Sequence, residues 1–218
     1  MQGTSGSLTV STLPSFAARW LLPRLSSFQQ RHPDINVRIS ATDIITDFHR
    51  ESVDAVIRYG SGNYPDLHSE LLLQEDHLFP VCSPVLLEGP HPLTRPSDLA
   101  HHTLLHDDLR VDWETWLAAA DVKGIDSKKG LSFNDSSMVL SAAMAGQGVA
   151  LGRSTLAAED LKAGRLVKPF DIELKAGSAY YFVCPKEFIN RPQIMAFRDW
   201  LFEEAENDPG RFMYVPES

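Results

Sequence analysis

Hydroxyl-bearing residues end the first strand-like segment of this 218-residue chain, directly before a helix-like segment. Residues 8–12 alternate between apolar and polar types, which predicts a half-buried strand. The chain then breaks at Leu13, Pro14 and Ser15 into an amphipathic segment. A helix start offers unpaired backbone N–H groups and a dipole that favours negative charge. We therefore predict that Thr12, Leu13, Pro14 and Ser15 contact a small ligand.

More polar side chains follow the other predicted strands at the same edge. In an open α/β sheet, ligands bind beyond the carboxyl ends of the strands. The residues expected there are Thr42, Asp43, Arg58, Tyr59, His106, Asp107, Asn134, Asp135 and Ser136. We expect them to converge on one cleft between two lobes. Cationic and N–H donors beside acidic acceptors would suit a ligand that resembles an amino acid or a peptide.

A purely structural role is an alternative for each of these side chains. Ser15, Asn134 and Ser136 are residue types that cap helices without any ligand. Arg58, at a strand end, could instead be an ion-pair partner. Asp47 lies in a short predicted helix, where it could be solvated or could project into the cleft. The ligand prediction depends on the convergence of all these positions rather than on any one of them.

The elements that position these residues alternate between strands and helices. This alternation predicts βαβ units around a mostly parallel sheet. Residues 16–31 carry an apolar stripe at helical spacing, but Pro23 inside this segment removes a backbone donor and predicts a kink or a fresh helix start near Leu22. The strand-like segments 79–84 and 180–185 are similar in sequence. We interpret them as two crossovers between two lobes.

This interpretation divides the chain into two α/β lobes with flexible ends. Lobe I takes residues 8–80 and 183–206, and lobe II takes residues 81–182. Residues 1–7 are interpreted as a leader and residues 207–218 as a flexible tail. The predicted fold class is therefore α/β, with two lobes joined by two crossover strands.

Charge and composition limit the classes of function. The net charge of −9 at pH 7 argues against direct nucleic-acid binding, although a partner domain could still supply it. Cys82 and Cys184 lie in apolar runs without CxxC spacing, which predicts two buried, reduced thiols. The sequence contains neither a signal-peptide pattern nor an apolar run of membrane length, so we expect a soluble, cytoplasmic protein.

Sequence signatures of enzymes and metal sites are weak. GxSxG, HExxH, P-loop and strand-linked GxGxxG motifs are absent, so neither catalysis nor a cofactor is predicted. His101, His102 and His106 could be imagined as metal ligands, but adjacent residues of a strand point to opposite faces. We therefore predict no metal site.

Several short motifs spread along the chain match one known family. They are LLPRL at 21–25, RHPDINV at 31–37, VDAVIRYG at 53–60, VCSP at 81–84, GQGVAL at 146–151 and RDWL at 198–201. Together they resemble the effector-binding, or regulatory, domain of LysR-type transcriptional regulators, over roughly residues 8–205. The nearest group contains regulators of glycine cleavage and of β-lactamase expression.

The resemblance implies a periplasmic-binding-protein-like (type 2) fold of two Rossmann-like lobes, with a small-molecule effector in the interlobe cleft. The effector would control the oligomer geometry of an attached DNA-binding domain. The family's N-terminal winged helix-turn-helix is missing from this chain, so DNA contact is expected only through that domain. A solute-binding protein of a transporter and an enzyme on the same fold are the alternatives.

The resemblance also implies roles for particular residues. Ser15 matches a hydroxyl position that contacts effector in the β-lactamase regulators. Asp47 matches an acidic cleft position, and Tyr180 falls near an aromatic position on the return strand. Family members form homodimers, and tetramers at full length. By resemblance, the dimer interface would include Arg24, Phe28, Arg31, Val139, Ala142 and Ala143.

Three departures from the family pattern bear on the ligand, one of which is that Asn134 and Asp135 replace a simpler Asp-Ser pattern. Pro14 stands where the β-lactamase regulators have a small, flexible residue, which would stiffen the loop. Gly152 and Arg153 replace the usual proline after Leu151. We therefore expect an effector different from that of the β-lactamase regulators.

Overall fold

The computed structural model of the chain describes residues 6–44, 48, 52–107 and 112–208. These residues form two compact α/β units. Asp47, a predicted site residue, lies outside the described residues. Among the residues that are described, no helix is long and apolar enough to cross a membrane.

The chain passes twice between the two units. Unit 1 comprises Met1–Glu75 and Gly177–Ser218, and unit 2 comprises Asp76–Ala176. Both predicted crossover strands lie just beyond these boundaries, since β5 (His77–Val81) is complete within unit 2 and β10 (Ala179–Pro185) is complete within unit 1. The chain therefore changes units in the short connections before these strands, a few residues earlier than predicted.

Unit 1 contains a five-stranded mixed sheet in the order β2-β1-β3-β10-β4. Its other strands are β1 (Gly6–Thr12), β2 (Ile35–Ala41), β3 (Ala55–Gly60) and β4 (Leu67–Leu73). β1 pairs in parallel with β2 and β3, whereas β10 is antiparallel to β3 and β4. The carboxyl ends of β1, β2 and β3 therefore meet at one edge, called here the unit 1 edge.

The folded part of unit 1 extends into both predicted flexible ends. Gly6 and Ser7, assigned above to the leader, begin β1 and pair with β2. Asp208, assigned above to the tail, is only 1% exposed. Trp20 Nε1 donates a hydrogen bond to the Asp208 carboxylate, which holds this residue against the unit.

Pro23 interrupts the helix predicted for residues 16–31. The observed segment consists of α1 (Pro14–Phe16), a π-helical segment (Ala17–Leu21) and α2 (Leu25–Arg31). The N–H of Leu22 donates to Ala17 O at 2.8 Å, and α2 starts two residues after the proline. Because proline has no N–H and its ring clashes with the preceding turn, the helix cannot run through it. The predicted interruption is confirmed, and the new helix starts at Leu25, three residues after Leu22.

The core of unit 1 lies between its sheet and its helices. α6 (Pro192–Glu206) lies against β1 and β4 and buries Phe197 and Trp200. The Phe28 ring of α2 contacts both, with ring centroids 5.3 Å from Phe197 and 5.2 Å from Trp200. Such aromatic pairs contribute about 0.5–1.5 kcal/mol each beyond the area they bury.

Unit 2 repeats this arrangement with a sheet in the order β7-β6-β8-β5-β9. Its other strands are β6 (Leu104–Asp107), β7 (Gly130–Phe133), β8 (Val149–Arg153) and β9 (Leu174–Lys175). β6 pairs in parallel with β7 and β8, and β5 is antiparallel to β8 and β9. β5 and β10 therefore occupy the same position in their sheets, which accounts for the similar sequences of 79–84 and 180–185.

One helix of unit 2, α5, was not among the predicted elements. The helical elements are α3 (Trp113–Ala119), α4 (Ser136–Met144) and α5 (Ser154–Lys162), with 3₁₀ turns at Pro84–Leu87 and Pro96–His101. β8 runs directly into α5. Asp76 supplies the cap, since its Oδ1 accepts hydrogen bonds from Ser154 Oγ and Thr155 N, both at 2.9 Å. This cap comes from far along the chain and cannot be read from the sequence around α5, although Ser154 and Gly164 are residue types typical of a helix start and a helix end.

Candidate functional site

The unit 1 edge brings together three of the predicted site residues. Thr12, the last residue of β1, pairs with Ala41 on one side and with Ile57 on the other. Thr42 follows β2, and its backbone N–H donates to Thr12 O at 2.9 Å. Arg58 follows Ile57 in β3. Thr12, Thr42 and Arg58 are therefore neighbours at the carboxyl ends of parallel strands, where open sheets bind ligands.

The Thr12 hydroxyl is buried at this edge without a hydrogen bond. The residue is 2% exposed, and the described part of the chain offers no hydrogen-bond partner to Oγ1. Leaving a buried hydroxyl unsatisfied costs about 1–3 kcal/mol. A ligand that donates to or accepts from Thr12 Oγ1 would recover this free energy.

Capping does not explain Ser15. Leu13 occupies the N-cap position of α1 and makes no side-chain capping bond, while Pro14 takes the first helical position. Ser15 is therefore inside the first turn, where it is 4% exposed. The structural alternative weighed for Ser15 is thus excluded, and its hydroxyl lies in the segment that directly follows Thr12.

Tyr180 belongs to an aromatic group beside α1. Its ring centroid lies 4.5 Å from that of Phe16 and 4.7 Å from that of Tyr59, its partner across the β10–β3 pair. Tyr180 is fully buried, so its ring is part of the core of unit 1. This packing fixes Tyr59 and the start of α1 relative to each other.

Arg58 contacts the loop that carries Thr42 and Asp43. Arg58 Nη1 donates to Ile44 O at 3.4 Å, and Thr42 Oγ1 accepts the N–H of Ile44 at 3.1 Å. Asp43 is exposed. Burial raises the pKa of nearby Tyr64, and the positive charge of Arg58 acts in the opposite direction. Arg58 therefore holds this loop by a hydrogen bond, and its positive charge opposes the rise in the pKa of Tyr64.

The corresponding edge of unit 2 carries a buried, charged group of three side chains, called here the Asp107–Ser136–Arg153 group. Arg153 Nη2 donates to Ser136 Oγ, and the Ser136 hydroxyl donates to Asp107 Oδ2. Arg153 Nη2 lies 3.6 Å from Asp107 Oδ2, and these two side chains are 8% and 7% exposed. The end of β6, the end of β8 and the start of α4 each contribute one member.

The cap of α4 differs from the prediction by one residue. Asp135 is the N-cap, and its Oδ1 accepts the N–H of Ser137 at 2.9 Å. Ser136 is the first residue of α4, so its hydroxyl is directed to Asp107 instead of capping the helix. Asn134 is exposed and does not cap. Helix capping therefore explains Asp135 but neither Asn134 nor Ser136.

His106 and the two cysteines have structural rather than chemical roles. His106 Nε2 lies 3.2 Å from Lys129 O, directly before β7, so this side chain supports the β6–β7 pair. Burial raises the pKa of the Cys82 thiol to about 12 and that of Cys184 to about 11, which makes both unreactive. Within the described ranges, no three His, Cys, Asp or Glu side chains form a group that could hold a metal ion.

Sequence reasoning missed Arg153 as a site residue and Asp76 as the cap of α5. Arg153 ends β8 and Asp76 precedes β5, and both are buried, at 8% and 1% exposure. A charged residue at the end of the apolar run 149–151 was the available signal for Arg153. Asp76 gave no signal, because its partners Ser154 and Thr155 are remote in sequence.

The family of this chain follows from a family match that covers nearly its whole length. Residues 1–206 match the LysR substrate binding domain. The chain belongs to this family.

The relatives of this LysR domain are regulators of transcription. It is 47% identical over 215 residues to the glycine cleavage system transcriptional activator of Escherichia coli K12, covering 98% of this chain and 70% of that protein. It is 35% identical over 198 residues to the transcriptional activator AmpR of Citrobacter koseri, covering 91% of this chain and 67% of that protein. These matches support neither the solute-binding-protein alternative nor the enzyme alternative.

A solved structure confirms the predicted fold class. The effector domain of AmpR from Pseudomonas aeruginosa superimposes with a TM-score of 0.77 at 31% identity, covering 96% of this chain and all of that one. The LysR domain therefore has the two-lobe, periplasmic-binding-protein-like fold of LysR-type effector domains, and it is the effector-binding domain of a transcriptional regulator.

Burial distinguishes between the predicted dimer-interface residues. Phe28, Val139 and Ala143 are at most 1% exposed, so these side chains pack inside their own units, whereas Ala142 is 7% exposed and lines an open depression on unit 2. Two arginines lie nearer the surface of the LysR domain. The Arg31 side chain is 51% exposed and is paired with Glu203. The Arg24 side chain is 11% exposed and lies 3.4 Å from Asp208.

Proposed function

We propose that this LysR domain senses a small effector that resembles an amino acid or a peptide, bound at the carboxyl edges of its sheets. The buried, unsatisfied Thr12 Oγ1 carries this proposal, because a polar ligand at the unit 1 edge would satisfy it. Ser15 and Arg58 add a hydroxyl and a positive charge at the same edge. The predicted convergence with the edge of unit 2 is part of the proposal.

The effector would act on a DNA-binding domain of the same protein. With a net charge of −9, this domain is unsuited to contact phosphates itself. Effector binding would favour one of two arrangements of a homodimer or tetramer, and so change how the attached domains meet DNA. The relatives' role as transcriptional regulators supports a non-enzymatic function in the cytoplasm, where bacterial DNA is transcribed.

The effector is identified by a thermal-shift screen of the chain against amino acids, small peptides and short carboxylic acids. A ligand at 100 times its dissociation constant adds about 2.7 kcal/mol to the free energy of unfolding. Ser15→Ala and Arg58→Ala should each reduce the shift, whereas Ser97→Ala, at an exposed position of unit 2, should leave it unchanged. A hit that is indifferent to both unit 1 variants would refute this placement of the effector.

The regulatory role has a separate test. The full-length protein should bind the promoter of its host's glycine cleavage genes, by analogy with its 47% identical relative. An electrophoretic mobility-shift experiment with and without the screened ligand measures this, and the promoter of a β-lactamase gene is the matched competitor. Equal affinity for both promoters would contradict the assignment to the glycine-cleavage group.

A further inference from the structure

Asp76 is a buried carboxyl at the point where the chain first enters unit 2. Its Oδ1 accepts hydrogen bonds from Ser154 Oγ and Thr155 N, both at 2.9 Å. Its Oδ2 is also buried, and the described part of the chain offers that oxygen no hydrogen-bond partner. A buried negative charge is far more costly than a buried hydroxyl. The environment of Oδ2 therefore favours the protonated carboxyl.

The charges around Asp76 do not compensate its ionisation. Burial raises the pKa of Asp76, and the opposing attraction of Arg153, at the end of β8, is weaker. Arg153 Nη2 also lies 3.6 Å from Asp107 Oδ2, so a second buried carboxyl shares this cation. The first turn of α5 brings no acidic residue. The remaining titratable groups beside Asp76 are its chain neighbours Glu75 and His77, and Lys175 of β9, which pairs with His77.

The Asp76 side chain ties the starts of two elements together. Ser154 Oγ, which donates to Asp76 Oδ1, accepts the N–H of His77 at 3.1 Å, and His77 is the first residue of β5. The backbone O of Asp76 accepts the N–H of Ala176 at 2.9 Å, where the chain leaves unit 2. The starts of β5 and α5 therefore depend on one carboxyl that stands where the chain enters the unit.

From this geometry we propose that Asp76 is a proton-dependent clip within unit 2. With its proton on Oδ2, Asp76 holds the start of α5 to the start of β5 through Ser154. When the proton passes to solvent, the buried carboxylate is stabilised by turning towards water, and its bonds to Ser154 and Thr155 open. This regulation by pH goes beyond the effector site of the proposed function and does not depend on it.

Asp112 provides a matched comparison in the same unit. Asp112 caps α3 in the same way, since its Oδ1 accepts the N–H of Thr115 at 3.0 Å. That backbone hydrogen bond is the main cause of the lowered pKa of Asp112, whereas burial is the main cause of the raised pKa of Asp76. Two helix caps of the same chemistry should therefore respond to pH in opposite ways.

The first test is an NMR titration of the wild-type chain with ¹³C-labelled side-chain carboxyls, which report protonation directly. We expect Asp76 to titrate above the ordinary aspartate pKa of about 3.9, and Asp112 to be ionised at every pH above about 4. An Asp76 that is ionised throughout this range would overturn the proposal.

Amide hydrogen exchange, corrected for the intrinsic rate at each pH, measures the clip itself. Opening of the clip releases the proton of Asp76. Protection of the Thr155 N–H should therefore fall about tenfold per pH unit between about pH 4 and the measured pKa of Asp76, and then level off. The Thr115 N–H should keep its protection over the same range. Protection of Thr155 that does not change below the pKa of Asp76 would also overturn the proposal.

Asp76→Asn separates the proton from the hydrogen bonds. Asparagine keeps an accepting Oδ1 but cannot ionise, so the Thr155 N–H should lose its pH dependence. Asp112→Asn is the control and should leave the pH dependence at Thr155 unchanged. A pH dependence that persists in Asp76→Asn would assign it to another group. If Asp76→Asn does not fold, the titration and exchange of the wild type decide alone.

Discussion

Replacing Thr12 by valine should make the protein more stable and less responsive to its effector. The two side chains have nearly the same shape, so Thr12→Val removes the buried Oγ1 without leaving a cavity. Because the described residues provide no partner for that hydroxyl, its desolvation is uncompensated in the ligand-free protein. The substitution should therefore raise the free energy of unfolding by about 1–2 kcal/mol.

Urea unfolding and thermal unfolding measure this gain. For a chain of this size, 1 kcal/mol corresponds to about 2–4 °C in the melting temperature, so Thr12→Val should melt about 2–8 °C higher than the wild type. Thr9→Val is the matched control, since Thr9 is a half-buried residue of the same strand. With the effector present, the wild type should gain more stability than Thr12→Val does, by about 1 kcal/mol for one lost hydrogen bond.

Two results would refute this reasoning in different ways. A melting temperature lower than that of Thr9→Val would mean that the hydroxyl has a partner in the ligand-free protein. A more stable variant with an unchanged effector response would mean that the effector does not contact Thr12.

The remaining predictions concern pH and the core. Arg198 donates a hydrogen bond to Glu70 and lowers the pKa of that carboxyl. The ionised carboxylate therefore stabilises the folded state above the unfolded pKa, and this stability is lost as the pH falls through the folded pKa. Arg198→Met should flatten this loss of unfolding free energy, measured by urea unfolding. Burial raises the pKa of Asp76, so the folded state binds the carboxyl proton of Asp76 more tightly than the unfolded state does. The free energy of unfolding should therefore fall as the pH rises from the unfolded pKa towards the folded pKa. Asp76→Asn should remove that fall. Phe197→Ala should cost about 3–5 kcal/mol of unfolding free energy, and a small loss would contradict its place in the core. Met195→Ala, 45% exposed on the same helix, is the control and should change stability by about 0.5 kcal/mol or less.

The strands and most helices could be predicted because their signals are local. Alternation at 8–12 and the proline at 23 act within a few residues, and they gave the carboxyl end of β1 and the interruption of the helix. The edge containing Thr12, Thr42 and Arg58 then follows from general rules, because parallel strands share one carboxyl edge. Even the equivalence of β5 and β10 was visible as a similarity of sequence before the topology was known.

The parts that could not be predicted depend on contacts between remote residues. The cap of α5 comes from Asp76, so the sequence of the helix itself does not reveal how it begins. Ser136 looked like an N-cap, and only the approach of Asp107 and Arg153 gives its hydroxyl another partner. Likewise, the sequence places Thr12 at the end of β1 but does not show that its hydroxyl, unlike an exposed one, lacks a hydrogen-bond partner.

The two sheets can be completed at different times as the chain leaves the ribosome. Unit 2 is one continuous stretch, Asp76–Ala176, whereas β3 of unit 1 lacks a neighbour on one side until β10 is made. At a synthesis rate of about 5–20 residues per second, the roughly 120 residues between β3 and β10 take about 6–24 s. Unit 2 can finish folding during that interval, while the first strands of unit 1 wait with an open edge. A chain that stops before Ala179 would keep this edge permanently and would be prone to aggregate.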